Sequence, residues 1–152
     1  MFRKARMADC ESIYDLICDM ENGLLSYHSF KKIYSAQLSN IQYYCLVFEH
    51  EKRVIGVLNL RFEEQLHHAG SIAEIMEFAV ESNFRNMGIG KSMLEEACRI
   101  AKERGCLQIE VACNQLREKT HRFYFREGMH NFHYKFSKSL TGIDSTKNAI
   151  GR

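Results

Sequence analysis

Arg85-Asn86-Met87-Gly88-Ile89-Gly90 stands between the apolar run Ile72–Val80 and a segment, about Gly88 to Arg104, in which Ile89, Met93, Ala97, Ile100 and Ala101 recur at helical spacing. It reads as a strand that feeds a helix directly through glycines. The first amides of such a helix have no acceptor within the helix, and the dipole makes that end positive, so the turn is suited to phosphate. Glycine lets a ligand approach the backbone closely, and Arg85 adds a full positive charge.

Working outward, Phe2–Arg6 reads as a short strand, and Asp9 can cap a helix whose Ile13, Leu16, Ile17 and Met20 share a face, with Gly23 ending it. A second helix covers roughly Ser26–Leu38. The period then changes to two. Tyr43–Glu49 and Val54–Phe62 read as a hairpin joined by the polar turn His50–Arg53. After the helix that follows the glycine turn, Leu107, Ile109, Val111 and Cys113 form one face of a further strand. Arg117–Glu127 is a helix ended by Gly128, and Phe132, Tyr134 and Phe136 alternate along a last strand, Asn131–Ser137. This order predicts an α/β (α+β) fold, a mixed and largely antiparallel central sheet with helices on both faces. A single domain over 1–140 is expected, with a polar, disordered tail over 141–152.

Composition narrows the function. The chain has 152 residues and a formal net charge of +2, which argues against nucleic-acid binding by general electrostatics. No apolar run approaches the ~20 residues of a membrane span, and the N-terminus lacks the apolar stretch of a signal peptide. Six cysteines lie in apolar segments without a C-x-x-C pair, so free, buried thiols in a reducing cytoplasm are expected. The chain contains no proline.

Three cofactors could use the glycine turn. Gly88-Ile89-Gly90-Lys91-Ser92 resembles the second half of a nucleotide-binding P-loop, but Arg85 stands where the first glycine belongs. A dinucleotide fingerprint wants a third glycine three residues after Gly90, where Met93 stands, and Glu110 at the distance of a ribose ligand sits in mid-strand. The third is coenzyme A. Arg85-Asn86-Met87-Gly88-Ile89-Gly90 satisfies the Gln/Arg-x-x-Gly-x-Gly/Ala pattern, and the later segment Asn114…His121-Arg122-Phe123-Tyr124-Phe125-Arg126-Glu127-Gly128-Met129 carries an aromatic pair, a basic residue and a glycine. In both, the chain resembles the GNAT superfamily of acetyltransferases, from about Phe2 to Leu140.

The resemblance implies acetyl-CoA as co-substrate and a set of roles. The backbones of Phe78, Ala79 and Val80 would pair with the pantetheine arm. Arg85, Asn86, Met87, Gly88, Ile89, Gly90 and Lys91 would hold the pyrophosphate, and Asn114 would stand near the thioester. Acetyl transfer needs an amine stripped of a proton and a leaving thiolate that is protonated or stabilised. Tyr124 is the candidate acid, since a phenol near ~10 is close enough to a thiol near ~8.5 to hand over its proton. Glu74 is the candidate base, six residues before Val80. Glu77 competes with it. A regular strand would put the two on opposite faces, and a bulge, common in this strand of the superfamily, would change that.

Within the superfamily, the chain is similar to bacterial aminoalkylphosphonate N-acetyltransferases in Tyr14-Asp15-Leu16-Ile17-Cys18, His28-Ser29-Phe30, Leu66-His67-His68 with Ile72-Ala73-Glu74-Ile75, and Thr120–Gly128. It departs from them in Glu63-Glu64-Gln65, where a more apolar run is expected. The implied acceptor is a small primary amine bearing a phosphonate, with His28, His68 and Arg122 as substrate-binding residues and Arg61 and His67 also available. That family's activity has been linked to a divalent metal. Here His67 and His68 are adjacent and would point apart on a strand, sharing an ion only if they lie in a loop, so no metal ligand is assigned and a divalent metal stays the lesser alternative. A polyamine, aminoglycoside or protein amine are alternative acceptors. A catalytically silent acyl-CoA-binding module is an alternative from another class, disfavoured by the presence of both Glu74 and Tyr124. No nucleic acid or membrane partner is expected. The aromatic last strand offers an edge for a homodimer.

Overall fold

In the computed structural model, which describes residues 1–142, the sheet is built from β1 (Phe2–Lys4), β2 (Tyr43–His50), β3 (Arg53–Gln65), β4 (Gly70–Val80) and β5 (Ile109–Val111), ordered β1-β2-β3-β4-β5. The helices are α1 (Cys10–Glu21), α2 (Tyr27–Leu38), α3 (Ile89–Glu103) and α4 (Glu118–Arg126). Neighbouring strands are antiparallel except β4 and β5, which run parallel because α3 makes the crossover between them. Two compact units result, Met1–Val111 with the whole sheet and α1–α3, and a second from Ala112 onward with α4. The expected tail falls almost wholly in 143–152, outside the described residues.

The period-two reading of β3 explains both faces of the first unit. Val57 and Ala79 join Val47, Ile13, Leu16, Ile17 and Tyr34 in one buried cluster, so this face carries α1 and α2. Leu46, Leu58 and Leu60 alternate to the other side and are fully buried. There Gly56 lets β3 and α3 close up, since a Cβ at 56 would lie 2.7 Å from Met93 Sδ.

Several local expectations need correction. Asp9 occupies the N-cap of α1 but makes no capping bond. Its carboxylate instead takes a two-armed bond from Arg3 (2.8 and 2.9 Å) and one from the Arg6 amide (2.7 Å). The left-handed residue closing α1 is Asn22 (φ 56°), one place before Gly23. The cysteines are not uniformly buried. Cys10, Cys18 and Cys45 are, whereas Cys106 and Cys113 are half-buried and Cys98 is exposed, one step round α3 from the buried Ala97. The last strand, Asn131–Ser137, does not form, and among the described residues no strand follows β5. Phe132, Tyr134 and Phe136 are exposed. Their alternation supplies an apolar face, but none of the described strands pairs with this segment.

Candidate active site

The glycine turn has the geometry its sequence implies. Asn86 (φ 62°) and Gly88 (φ 82°) both take left-handed conformations, and Gly88 is the N-cap of α3. The first bond of the helix runs from the Ser92 amide to the Gly88 carbonyl (3.1 Å), so the amides of Ile89, Gly90 and Lys91 precede any acceptor within it. No acidic side chain sits in that first turn. Arg85 is turned back toward the strand end. Its Nε donates to the Val80 carbonyl (3.0 Å) and its Nη2 to Asp19 (3.2 Å).

Between β3 and β4 the register is regular from Gln65–Gly70 up to Leu60–Ile75, then slips so that Asn59 faces Glu77. Met76 is the extra residue of a bulge, and it is exposed. Arg61 faces Glu74 and Asn59 faces Glu77. Arg61 and Asn59 are two apart on β3, so Glu74 and Glu77 share the face that carries α1 and α2.

The two carboxylates differ in surroundings. Glu74 is paired with Arg61 (2.8 Å), whose Nη2 also lies 3.6 Å from Glu63. The Arg61 Nε is buried and has no hydrogen-bond partner. Glu77 accepts from Asn59 Nδ2 (3.0 Å), which also donates to Gln37 (3.0 Å). Burial pushes the Glu77 carboxyl above its ordinary range, and the Glu21 charge adds to the rise, against the Asn59 bond. Glu77 lies at the edge of a cavity of about 170 Å³ between α1, α2 and the sheet. Asn59 and Gln37 escaped the sequence reading. The available signal was Asn59 itself, an amide inside an apolar strand, buried and therefore in need of partners.

The remaining expected residues are distributed as follows. Phe78, Ala79 and Val80 end β4 beyond its last pair with β5, which is Ile75–Val111. His28 is exposed on α2. His68 sits in a 3-10 turn between β3 and β4, its Nδ1 2.6 Å from Gln65 Oε1, while Gln65 Nε2 donates to Glu63 (2.8 Å). The Gln65 carbonyl can only accept, so His68 Nδ1 carries the proton. Among the described residues no group of three or more His, Cys, Asp or Glu could hold a metal ion.

Asn114, Arg122 and Tyr124 belong to the second unit. Asn114 Oδ1 accepts from the Leu116 amide (2.9 Å), and its carbonyl accepts from His121 Nε2 (2.7 Å). Arg122 is exposed on α4. Burial pushes the Tyr124 phenol up to about 12, with Cys113 adding to the rise and Arg117 opposing it.

Comparison with known proteins places the chain in a family. Residues 10–129 fit the model of the acetyltransferase (GNAT) family. An aminoalkylphosphonate N-acetyltransferase from Salmonella typhimurium is 33% identical over 138 residues, covering 91% of this chain and 90% of that protein. Among solved structures, a transcriptional regulator from Bacillus halodurans (TM-score 0.86, 22% identity) and a putative acetyltransferase from Agrobacterium tumefaciens (TM-score 0.83, 17% identity) share the fold; each match covers 92% of this chain and 99% of the other. The strand–turn–helix cradle, the bulged β4 and these matches have one common meaning: the chain belongs to the GNAT acetyltransferase family and is an acyl-CoA-dependent N-acetyltransferase.

Proposed function

We propose that the chain moves the acetyl group of acetyl-CoA to the primary amine of a small molecule, an aminoalkylphosphonate, by direct transfer in a ternary complex. The observation that carries this reading is the pair of carboxylates on one face of β4 beside a guanidinium with an unused donor. The Arg61 Nε is buried and without an acceptor, a defect that an anionic oxygen would remove. Arg61 and Asn59 are two residues apart, about 7 Å along the strand. A short acceptor can therefore set its ammonium by Glu77 and its phosphonate by Arg61. The named activity of the Salmonella relative supports the same acceptor class.

The carboxylates divide the work. Glu77, raised by burial, is the better proton acceptor for an ammonium near ~10. Glu74, bound to Arg61, orients the guanidinium toward the acceptor. The amine then attacks the thioester carbon, and the sulfur leaves as thiolate. With its phenol at about 12, Tyr124 stays protonated and acts chiefly as a hydrogen-bond donor to that thiolate. The amides of Ile89, Gly90 and Lys91 hold the pyrophosphate, and Phe78, Ala79 and Val80 pair with the pantetheine arm. His68, its Nδ1 bonded to Gln65, His28 and Arg122 complete the acceptor side.

Release of free thiol from acetyl-CoA tests the reading, with aminomethyl- and aminoethylphosphonate run beside a polyamine, an aminoglycoside and a lysine peptide. The phosphonates should give the highest kcat/KM, with intersecting initial-rate patterns. Stabilisation by CoA with no turnover of any amine would leave only a silent acyl-CoA binder.

A further inference from the structure

The cavity beside Glu77 has walls from Ile13, Ile17, Phe30, Leu38 and Val57, and its polar groups include Glu77, Asn59 and Gln37. It is open to solvent along α2, where Ile33 is 58% exposed. Lys4 borders it, but the ammonium of Lys4 is elsewhere. Lys4 pairs with Leu46 on the opposite face, where its Nζ lies 5.6 Å from the Tyr44 ring. Among the described residues, none of the ion pairs includes Glu77. The cavity thus offers one carboxylate and hydrocarbon walls, with no charged donor. An anion gains nothing there. An organic ammonium gains a charged partner for its head and apolar walls for its body. A volume of about 170 Å³ compares with the ~150 Å³ apolar cavity that holds benzene, so a six-carbon group fits.

We propose that this cavity admits a second acceptor class, primary amines with an alkyl or aryl body of about six carbons, their ammonium held by Glu77 and their hydrocarbon lodged between α1, α2 and the sheet. The proposal rests on the acetyl-transfer reading above and extends it to acceptors that have no phosphonate. Of the three hydrogens on the ammonium, one stays on the amide, one ends on the thiol and one leaves as a proton through Glu77. The carbon–nitrogen bond forms as the carbon–sulfur bond of acetyl-CoA breaks.

The test is a chain-length series, propylamine to hexylamine plus benzylamine, with aminoethylphosphonate alongside. Each buried methylene is worth about 0.8 kcal/mol, so kcat/KM should rise about fourfold per carbon. Ile33→Trp, a change at the half-exposed mouth, should lower hexylamine kcat/KM at least tenfold relative to propylamine. Calorimetric binding of hexylamine without acetyl-CoA, weakened in Ile33→Trp, reads the cavity independently of turnover. A flat series, or turnover of aminoethylphosphonate with neither binding nor turnover of hexylamine, overturns the proposal. No turnover of any amine, with hexylamine still bound, would sink the acetyl-transfer reading and leave the cavity as an amine-binding site.

Discussion

Glu74 and Glu77, three residues apart on β4, project from the same face of the sheet because Met76 is bulged out between them. Their environments then separate them. One is tied to Arg61, and the other accepts from Asn59 beside an apolar cavity.

The pH–rate profile should follow that separation. Glu77→Gln should lower kcat/KM about a hundredfold and remove the acid limb, as loss of a general base does. Glu74→Gln should keep the limb and raise KM for a phosphonate acceptor, because Arg61 loses its orienting partner. Loss of the limb in Glu74→Gln alone would reverse the assignment.

Stability should carry the mark of Glu77 with a definite sign. Its carboxyl is raised above the ordinary 4.5, so the folded state binds the proton more tightly than the unfolded chain. That contribution is full below 4.5 and is lost as pH rises through the raised value. Glu77→Gln should melt a few degrees higher than the parent at pH 8. The gap should close by pH 4. An equal gap at both pH values would contradict this.

Asp9 has the opposite sign. The two-armed Arg3 bond holds its carboxyl below the ordinary 3.8, so its contribution is present above that value and fades as pH falls through the lowered one. Asp9→Asn should cost about 3 kcal/mol at pH 7, the range for breaking a largely buried pair, and much less near pH 2. Urea titrations at the two pH values measure it.

Tyr124→Phe should lower turnover by about ten- to a thousandfold with an unchanged melting temperature. A phenol at about 12 also predicts that Tyr124 sets no alkaline limb below pH 10. Near-normal turnover in the variant would remove Tyr124 from the chemistry.

At Gly88 a side chain would meet open space, so only the φ of 82° opposes it. Gly88→Ala should therefore cost about 1–2 kcal/mol from backbone strain alone. Acyl-CoA affinity should fall in step if the turn cradles its phosphates, as a CoA titration of the variant would reveal.

Much of this was legible in residue spacing. The α3 stripe Met93, Ala97, Ile100, Ala101 is buried as its period implies, and the hairpin of β2 and β3 follows from alternation. A bulge in β4 was raised by the family resemblance, but its place at Met76 was not legible, since nothing in Ile75-Met76-Glu77 announces an extra residue; the place emerges from pairing with β3. The same limit explains Phe132, Tyr134 and Phe136, whose alternation describes a face without supplying a neighbour. Asn59 was visible as an oddity, but its partners Gln37 and Glu77 come from other elements and had to be folded into place.

β4 runs to Val80, yet β5 accompanies it only as far as Ile75. Under the roles proposed for Phe78, Ala79 and Val80, acyl-CoA would run beside this last stretch of β4. The cofactor would then count as part of the fold, and its loss would cost the chain stability as well as activity.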